Sequence, residues 1–116
     1  MTAADYIDAL RLRARLTAST LAVFETIDVA LTASSLDPPC RIDDAEAVQR
    51  AYPRQARQPF NVTGQPALAM CAGFTLDGLP LSLQLIGRPF DEATVYRVAD
   101  AYEAATGWTK RHPPGV

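Results

Sequence analysis

Few side chains in this sequence could act as nucleophiles, and each has a plainer structural explanation. Cys71 could pair with His112, the only histidine, in a thiol–imidazole arrangement that activates sulfur. Cys71 lies, however, in the apolar run 67–73, and a thiol buried in apolar surroundings is usually inert. Ser34 and Ser35 follow a predicted strand, where a turn accounts for them. We therefore predict no catalytic residue in this chain.

The remaining polar residues give no indication of a metal, a cofactor or a nucleic acid. Cys40 and Cys71 with one histidine match no known spacing of metal ligands, so we predict neither a metal nor a cofactor. Asp43, Asp44 and Glu46 form an acidic cluster that is typical of the start of a helix. The net charge is −2, and neither half of the chain has a strong excess, which argues against a nucleic-acid partner.

Length and composition suit one globular domain. The chain has 116 residues, of which 48% are hydrophobic and 21% charged, as in ordinary soluble domains. No stretch reaches the roughly 20 apolar residues that a membrane span needs, and the N-terminus has no secretory pattern. We therefore expect a single domain over residues 1–116, located in the cytoplasm, with two free thiols and no membrane partner.

The N-terminal region predicts one long helix over residues 2–27. Its apolar positions recur at alternating spacings of four and three and make a single stripe: Ala3, Ile7, Leu10, Ala14, Thr17, Leu21 and Phe24. Thr2 is a candidate N-cap, with Asp5 three residues later as in a loose capping box. A helix of this length in a small domain requires a partner surface for its stripe.

The rest of the chain predicts strands and two further helices. The expected elements are a strand over 28–33, a short helix over 43–52, a structured loop or short turns over 53–66, a strand over 67–73, a turn at Asp77-Gly78, a strand over 81–87, a helix over 91–106 ended by Gly107, and an extended tail over 108–116. This order indicates an α/β fold with a mixed sheet and flanking helices. The strands near 29–31 and 67–71 read as apolar on both faces, which hints at missing partner structure.

Three blocks in the second half of the chain form a specific pattern. They read FNVTGQPA over 60–67, GFTLDGLP over 73–80 and LQLIGRPFDE over 83–92. In this order and spacing they resemble the C-terminal end of the amidase-signature family, which includes bacterial amidases and the amidase-type chain of glutamyl-tRNA amidotransferase. Gly64 and Gly78 in these blocks also suit turn positions with positive φ.

The resemblance implies a catalytic apparatus that these residues do not carry. Members of the family use a Ser–Ser–Lys triad with a Gly/Ser-rich oxyanion segment, and this apparatus lies N-terminal of the region matched here. The sequence has no Gly-Gly-Ser-Ser-Gly-like segment, and its one lysine, Lys110, follows the last predicted helix. The resemblance further implies that residues 60–64 lie nearest the substrate pocket, with Phe60, Asn61, Thr63 and Gly64 as candidate wall residues.

One departure from the family bears on the substrate. In the amidotransferase chain, an acidic residue before the FN block helps to bind the amino group of glutamine. Arg54 falls at that position here, with Arg57 close by, which disfavours an amidotransferase and favours a plain amidase or a decayed copy. The spacing of Arg50, Arg54 and Arg57 is helical but interrupted by Pro53, so either a solvated surface or contact with an anionic ligand remains open.

Two functions are compatible with these observations. The first is a C-terminal segment of an amidase, separated from its catalytic core, which supplies scaffold and part of the substrate-pocket wall. The second is a non-catalytic, self-associating module or relic derived from such an enzyme. The expected partner is accordingly a chain that carries the catalytic core, or a second copy of this chain.

Overall fold

The polypeptide alternates helices with strands, and a computed structural model of the chain describes residues 1–111. Within that range the elements are α1 (Ala3–Val23), β1 (Val29–Ala33), α2 (Ala45–Ala51), α3 (Gln58–Thr63), β2 (Ala67–Phe74), β3 (Pro80–Gly87), α4 (Glu92–Thr106) and a 3-10 turn (Trp108–Lys110). The predicted α/β class is confirmed, and one short helix, α3, lies where a structured loop was expected. In the described part of the chain, no helix is both long and apolar enough to cross a membrane.

The sheet has three strands in the order β1-β3-β2, and both pairings are antiparallel. The expected mixed sheet is therefore corrected to an antiparallel one in this part of the chain. The predicted hairpin explains one pairing, since a tight turn at Asp77-Gly78 can join only antiparallel strands. Gly78 has φ +82°, and the Thr75 amide donates to the Leu79 carbonyl oxygen at 2.8 Å.

The second half of the central strand β3 is buried on both faces. Leu85 is 1% exposed and its neighbour Ile86 is 0% exposed, although adjacent strand residues point to opposite sides of a sheet. Helix α4 covers one face, where Leu83 and Leu85 pack with Val95 and Ala99. The alternation predicted for β3 thus places the leucines on the α4 side and leaves Ile86 to be covered from the other side.

Helix α1 begins as the sequence predicts and ends earlier. The Thr2 side chain accepts from the Asp5 amide, and the Asp5 carboxylate accepts from the Thr2 amide at 2.6 Å, which makes a full capping box. These hydrogen bonds hold the pKa of Asp5 below its ordinary value. The helix stops at Val23, because Phe24 to Asp28 turn the chain into β1.

One arginine holds this turn to the end of the sheet. Arg88 follows β3 and donates from Nε to the Phe24 carbonyl oxygen at 3.1 Å and from Nη2 to that of Ile27 at 3.3 Å. Its guanidinium also lies 3.0 Å from the Asp28 carboxylate. A cation at the C-terminus of a helix is favoured by the helix dipole, so Arg88 satisfies the end of α1 as well as joining it to β3.

The first part of the apolar stripe of α1 lacks a cover among residues 1–111, whereas Phe24 at the end of the stripe is buried. No residue of the helix is buried, and Ile7 and Leu10 remain 47% and 44% exposed. The sequence-based expectation that the stripe requires a partner surface therefore stays open among residues 1–111.

The C-terminal segment is ordered over its first residues instead of extended. Trp108 begins the 3-10 turn and meets Phe74 edge to face, with ring centroids 5.9 Å apart. The Arg111 guanidinium lies over the same Phe74 ring, 4.0 Å from its centroid. The expectation of an extended tail is thus wrong for Trp108–Lys110, and its last five residues, 112–116, lie outside the described range.

Replacing Gly87 with alanine should destabilise the fold. An added Cβ would lie 2.5 Å from Cγ2 of the buried Val95 and 3.4 Å from the Asp91 carbonyl oxygen, so β3 and α4 would have to separate. Overpacking of this kind costs about 1–3 kcal/mol, measurable by urea unfolding. The cost should shrink in a Val95→Ala background; an equal cost in both backgrounds would show that the contact with Val95 is not the cause.

Candidate functional site

The predicted pocket-wall segment is a short helix followed by a glycine. Residues 58–63 form α3, with Pro59 in its first turn, and Gly64 ends it in the left-handed conformation at φ +84°. The Gly64 amide donates to the Phe60 carbonyl oxygen at 2.8 Å. The loop expected over 60–64 is thus corrected to a helix end, since Pro59 and Gly64 are suitable start and stop residues.

Helix α3 is fixed to α1 by a hydrogen bond distant in sequence. Arg13 donates from Nε to the Val62 carbonyl oxygen at 2.7 Å, which satisfies one of the free carbonyls at the end of α3. Phe60 and Thr63 are half-buried, whereas Asn61 and Gly64 are exposed. The four candidate wall residues therefore lie together at one helix end, two facing protein and two facing solvent.

A concave surface lies apart from these four residues, at one end of the sheet. It encloses about 730 Å³, within the range of ligand sites, and we call it the strand-end groove. Its walls come from the end of β1, the segment 35–40, the region between α2 and α3, and the start of β3; they include Leu31, Ala33, Ser35, Asp37, Cys40, Gln55, Arg57, Ala72, Leu81 and Leu83. None of the four predicted wall residues lines it.

Hydrogen bonds fix one wall of the groove, the segment 35–40, beside Arg54. The Leu36 amide donates to the Arg54 carbonyl oxygen at 3.1 Å, and the Arg54 side chain donates to the Asp37 carboxylate at 2.6 Å. These contacts bring the segment after β1 against the residues that precede α3. The groove could not be foreseen from sequence, because its two sides come from segments almost twenty residues apart; the only signal was the closeness of Arg54 and Arg57 to the FN block.

The three arginines of this region have different surroundings. Arg50 lies 3.6 Å from Glu46 one turn earlier on α2, and Arg54 is paired with Asp37. Arg57, which lines the groove, forms no side-chain hydrogen bond or ion pair with the described residues, 1–111. The sequence left two alternatives, a solvated surface and contact with an anionic ligand. The first describes Arg50, and the second remains open for Arg57.

The residues considered as nucleophiles or acids are dispersed. Ser34 is 3% exposed, and Cys71 is half-buried with its thiol 3.5 Å from the Gly73 carbonyl oxygen. His112, the base considered for Cys71, lies outside the described residues. The Asp44 carboxylate accepts from the Ala47 amide as the N-cap of α2, as the helix-start interpretation predicts.

The electrostatics of the acidic cluster are local. Arg41 donates two hydrogen bonds to Asp43, which hold the pKa of that carboxyl below its usual value and raise the pKa of the guanidinium. Across residues 1–111, no group of three or more histidine, cysteine, aspartate or glutamate side chains is placed to hold a metal ion.

The fold and the sequence blocks together define an amidase-type chain. The model of the Amidase family matches residues 1–96, and this chain belongs to that family, the amidase-signature enzymes. The strand-end groove and α3 both lie within the matched residues.

Relatives that align over the whole chain or over about half of it agree with this assignment. A fatty acid amide hydrolase of Medicago truncatula is 36% identical over 119 aligned residues, which cover 97% of this chain and 20% of that protein. A glutamyl-tRNA(Gln) amidotransferase chain of Chloroflexus aggregans is 60% identical over 55 residues, covering 47% of this chain and 11% of that protein. The chain thus spans at most about a fifth of these two relatives.

The solved structure of a 6-aminohexanoate cyclic dimer hydrolase shares the fold. It superposes on 98% of this chain with a TM-score of 0.85 at 20% identity, and the superposed region is 27% of that protein. The likeness covers α1 and the sheet together, so these elements have the same arrangement within a much longer chain.

Gly64 should be required for its left-handed backbone conformation. Two substitutions distinguish this requirement from a lack of space for a side chain. No atom lies within 4 Å of an added Cβ, so alanine meets no clash but must adopt φ +84°. We expect Gly64→Ala to lower the free energy of unfolding by about 1 kcal/mol and Gly64→Asn by less, since asparagine tolerates the left-handed region. Equal losses in chemical denaturation would contradict this explanation.

Proposed function

We propose that this chain is the C-terminal segment of an amidase-signature amidohydrolase, an enzyme that hydrolyses carboxylic amides. In this proposal the segment supplies scaffold and part of the substrate-pocket wall, and residues outside these 116 supply the Ser–Ser–Lys triad. It acts as one structural unit in the cytoplasm. The observation that carries the proposal is the amount of surface that the chain leaves exposed.

The exposed surface exceeds that of a compact monomer. The chain exposes 8517 Å², whereas a folded monomer of 12.6 kDa exposes about 6,200 Å². Residues 112–116, in any arrangement, could contribute no more than about 700 Å² of this excess of roughly 2,300 Å². A stable protein interface buries about 800 Å² per partner, so the excess is large enough for extensive contact with another structure.

The shape leads to the same conclusion. The radius of gyration is 17.1 Å, against about 13 Å for a compact domain of this length. Large apolar side chains remain exposed on α1, where Ile7 and Leu10 are 47% and 44% exposed. This surface would be buried if a catalytic core packed against α1, as the small fraction of the relatives that the chain spans supports.

The placement of α3 supports a role in the pocket wall. Its end is anchored to α1 through Arg13, while Asn61 faces solvent and is free to meet a substrate or a neighbouring wall. A short helix closed by Gly64 is a rigid edge, and rigid elements suit the positioning of a substrate.

The alternative is a non-catalytic module that associates with itself. The same exposed stripe of α1 favours it, because two copies could bury their stripes against each other. The two proposals differ in the identity of the chain that covers α1.

The isolated chain should not hydrolyse amides. A purified sample with a simple carboxylic amide, such as benzamide, should release ammonia no faster than buffer. The reason is that, among residues 1–111, no serine or cysteine side chain is paired with a base. Turnover that persists in Cys71→Ala and Lys110→Ala variants would count strongly against the proposal.

The native mass of the chain, isolated from its source cells with partners bound, should show a one-to-one complex with a larger chain bearing the triad. Leu10→Glu should weaken that complex at least about tenfold, because the substitution places a charge in the apolar stripe. Leu12→Glu is the matched control: Leu12 is 50% exposed but lies about 200° around α1 from Leu10, which is 44% exposed. A homo-oligomer sensitive to Leu10→Glu would establish the self-associating module instead, and equal effects of both variants would exclude the stripe as the interface.

A further inference from the structure

The strand-end groove combines an apolar floor with polar walls. The floor is made by Leu31, Ala33, Leu81 and Leu83, which share the face of the sheet on which α4 packs. Leu31 is 63% exposed, so α4 does not reach this part of the sheet. Apolar surface of this kind at the bottom of a concavity of about 730 Å³ favours an organic ligand over an ion.

The polar walls carry a positive charge that residues 1–111 do not neutralise. The segment 35–37 is held beside residue 54 by the Leu36 amide and the Arg54–Asp37 ion pair, in which one charge cancels the other. Arg57 also lines the groove, and its guanidinium has no carboxylate partner within residues 1–111. Among Asp37, its partner Arg54, and Arg57, one positive charge therefore remains without a partner in residues 1–111.

A second donor belongs to the wall formed by the segment 35–40. The Ser35 hydroxyl oxygen accepts from the Asp37 amide at 3.3 Å, and its proton is given to no acceptor in the described part of the chain. A guanidinium together with a hydroxyl suits a carboxylate, since arginine binds its two oxygens with parallel hydrogen bonds.

We propose that the strand-end groove binds a small organic carboxylate, with the acid group on Arg57 and the apolar body on the leucine floor. The proposal rests on charge complementarity with Arg57 and on the leucines of the floor. It does not depend on the amidase role, because every residue that it uses belongs to this chain.

The full 116-residue chain can be tested with a pair of probes that differ only in charge. 4-Phenylbutyrate and its neutral amide have the same apolar body, and calorimetry gives their affinities. The carboxylate should bind at least about fivefold more tightly than the amide, as expected for a partly exposed ion pair. Arg57→Gln should remove this preference, Arg57→Lys should keep most of it, and Arg50→Gln, on α2 outside the groove, should leave it unchanged.

The alkylation rates of the two cysteines report the position of the ligand independently of its affinity. Cys40 is exposed and lines the groove, whereas Cys71 does not line it. 4-Phenylbutyrate should slow the alkylation of Cys40 by iodoacetamide and leave that of Cys71 unchanged, with protection lost in Arg57→Gln. Circular dichroism of each variant verifies that it is folded.

Three results would overturn the proposal: equal affinity for acid and amide, unchanged binding in Arg57→Gln, or protection of Cys40 before any carboxylate is added. The last result would show that polypeptide from a partner or a second copy fills the groove. Each of them leaves the amidase proposal standing, because that proposal is judged by the mass of the complex and by hydrolysis.

Discussion

The burial of two consecutive residues on the central strand constrains everything around it. Leu85 and Ile86 are both inaccessible to solvent although they point to opposite faces of the sheet. Each face therefore needs its own cover, and α4 supplies only one. The surface of the chain is divided unevenly: the second half of β3 is buried, whereas α1 and the edge strand β1 retain exposed leucines.

Arg88 connects this strand to the rest of the chain. It leaves β3 at the point where the backbone turns toward α4, and it reaches the carbonyl groups of Phe24 and Ile27 at the end of α1. The arginine of the LQLIGRPFDE block thus has a structural explanation independent of any substrate. Because one guanidinium satisfies two carbonyls and the Asp28 carboxylate, the direction in which α1 leaves the sheet is linked to the position of the strand.

Local chemistry made much of the fold predictable. The capping box at Thr2, the turn at Asp77-Gly78 and the helix end at Gly107 are decided within four residues, and all three occur as expected. Sequence failed where distant segments meet. The docking of α3 against α1 uses the hydrogen bond from Arg13 to Val62, 49 residues apart, and the strand-end groove requires segment 35–37 to dock beside Arg54. Neither contact has a periodicity that a local pattern could show.

Catalytic groups depend on the packed structure that holds them in place. A serine nucleophile needs a base and oxyanion donors held rigidly around one carbonyl, and such preorganisation depends on a buried, well-packed support. In the proposed role, the buried second half of β3, the hydrogen bonds from Arg88 to the end of α1 and the helix end at Gly64 would belong to such a support. The strand-end groove is lined by Arg57 and leucines, with Ser35 and Cys40 on its walls. Such a surface is suited to recognition, because Arg57 and the leucine floor can select charge and hydrophobicity without taking part in bond cleavage.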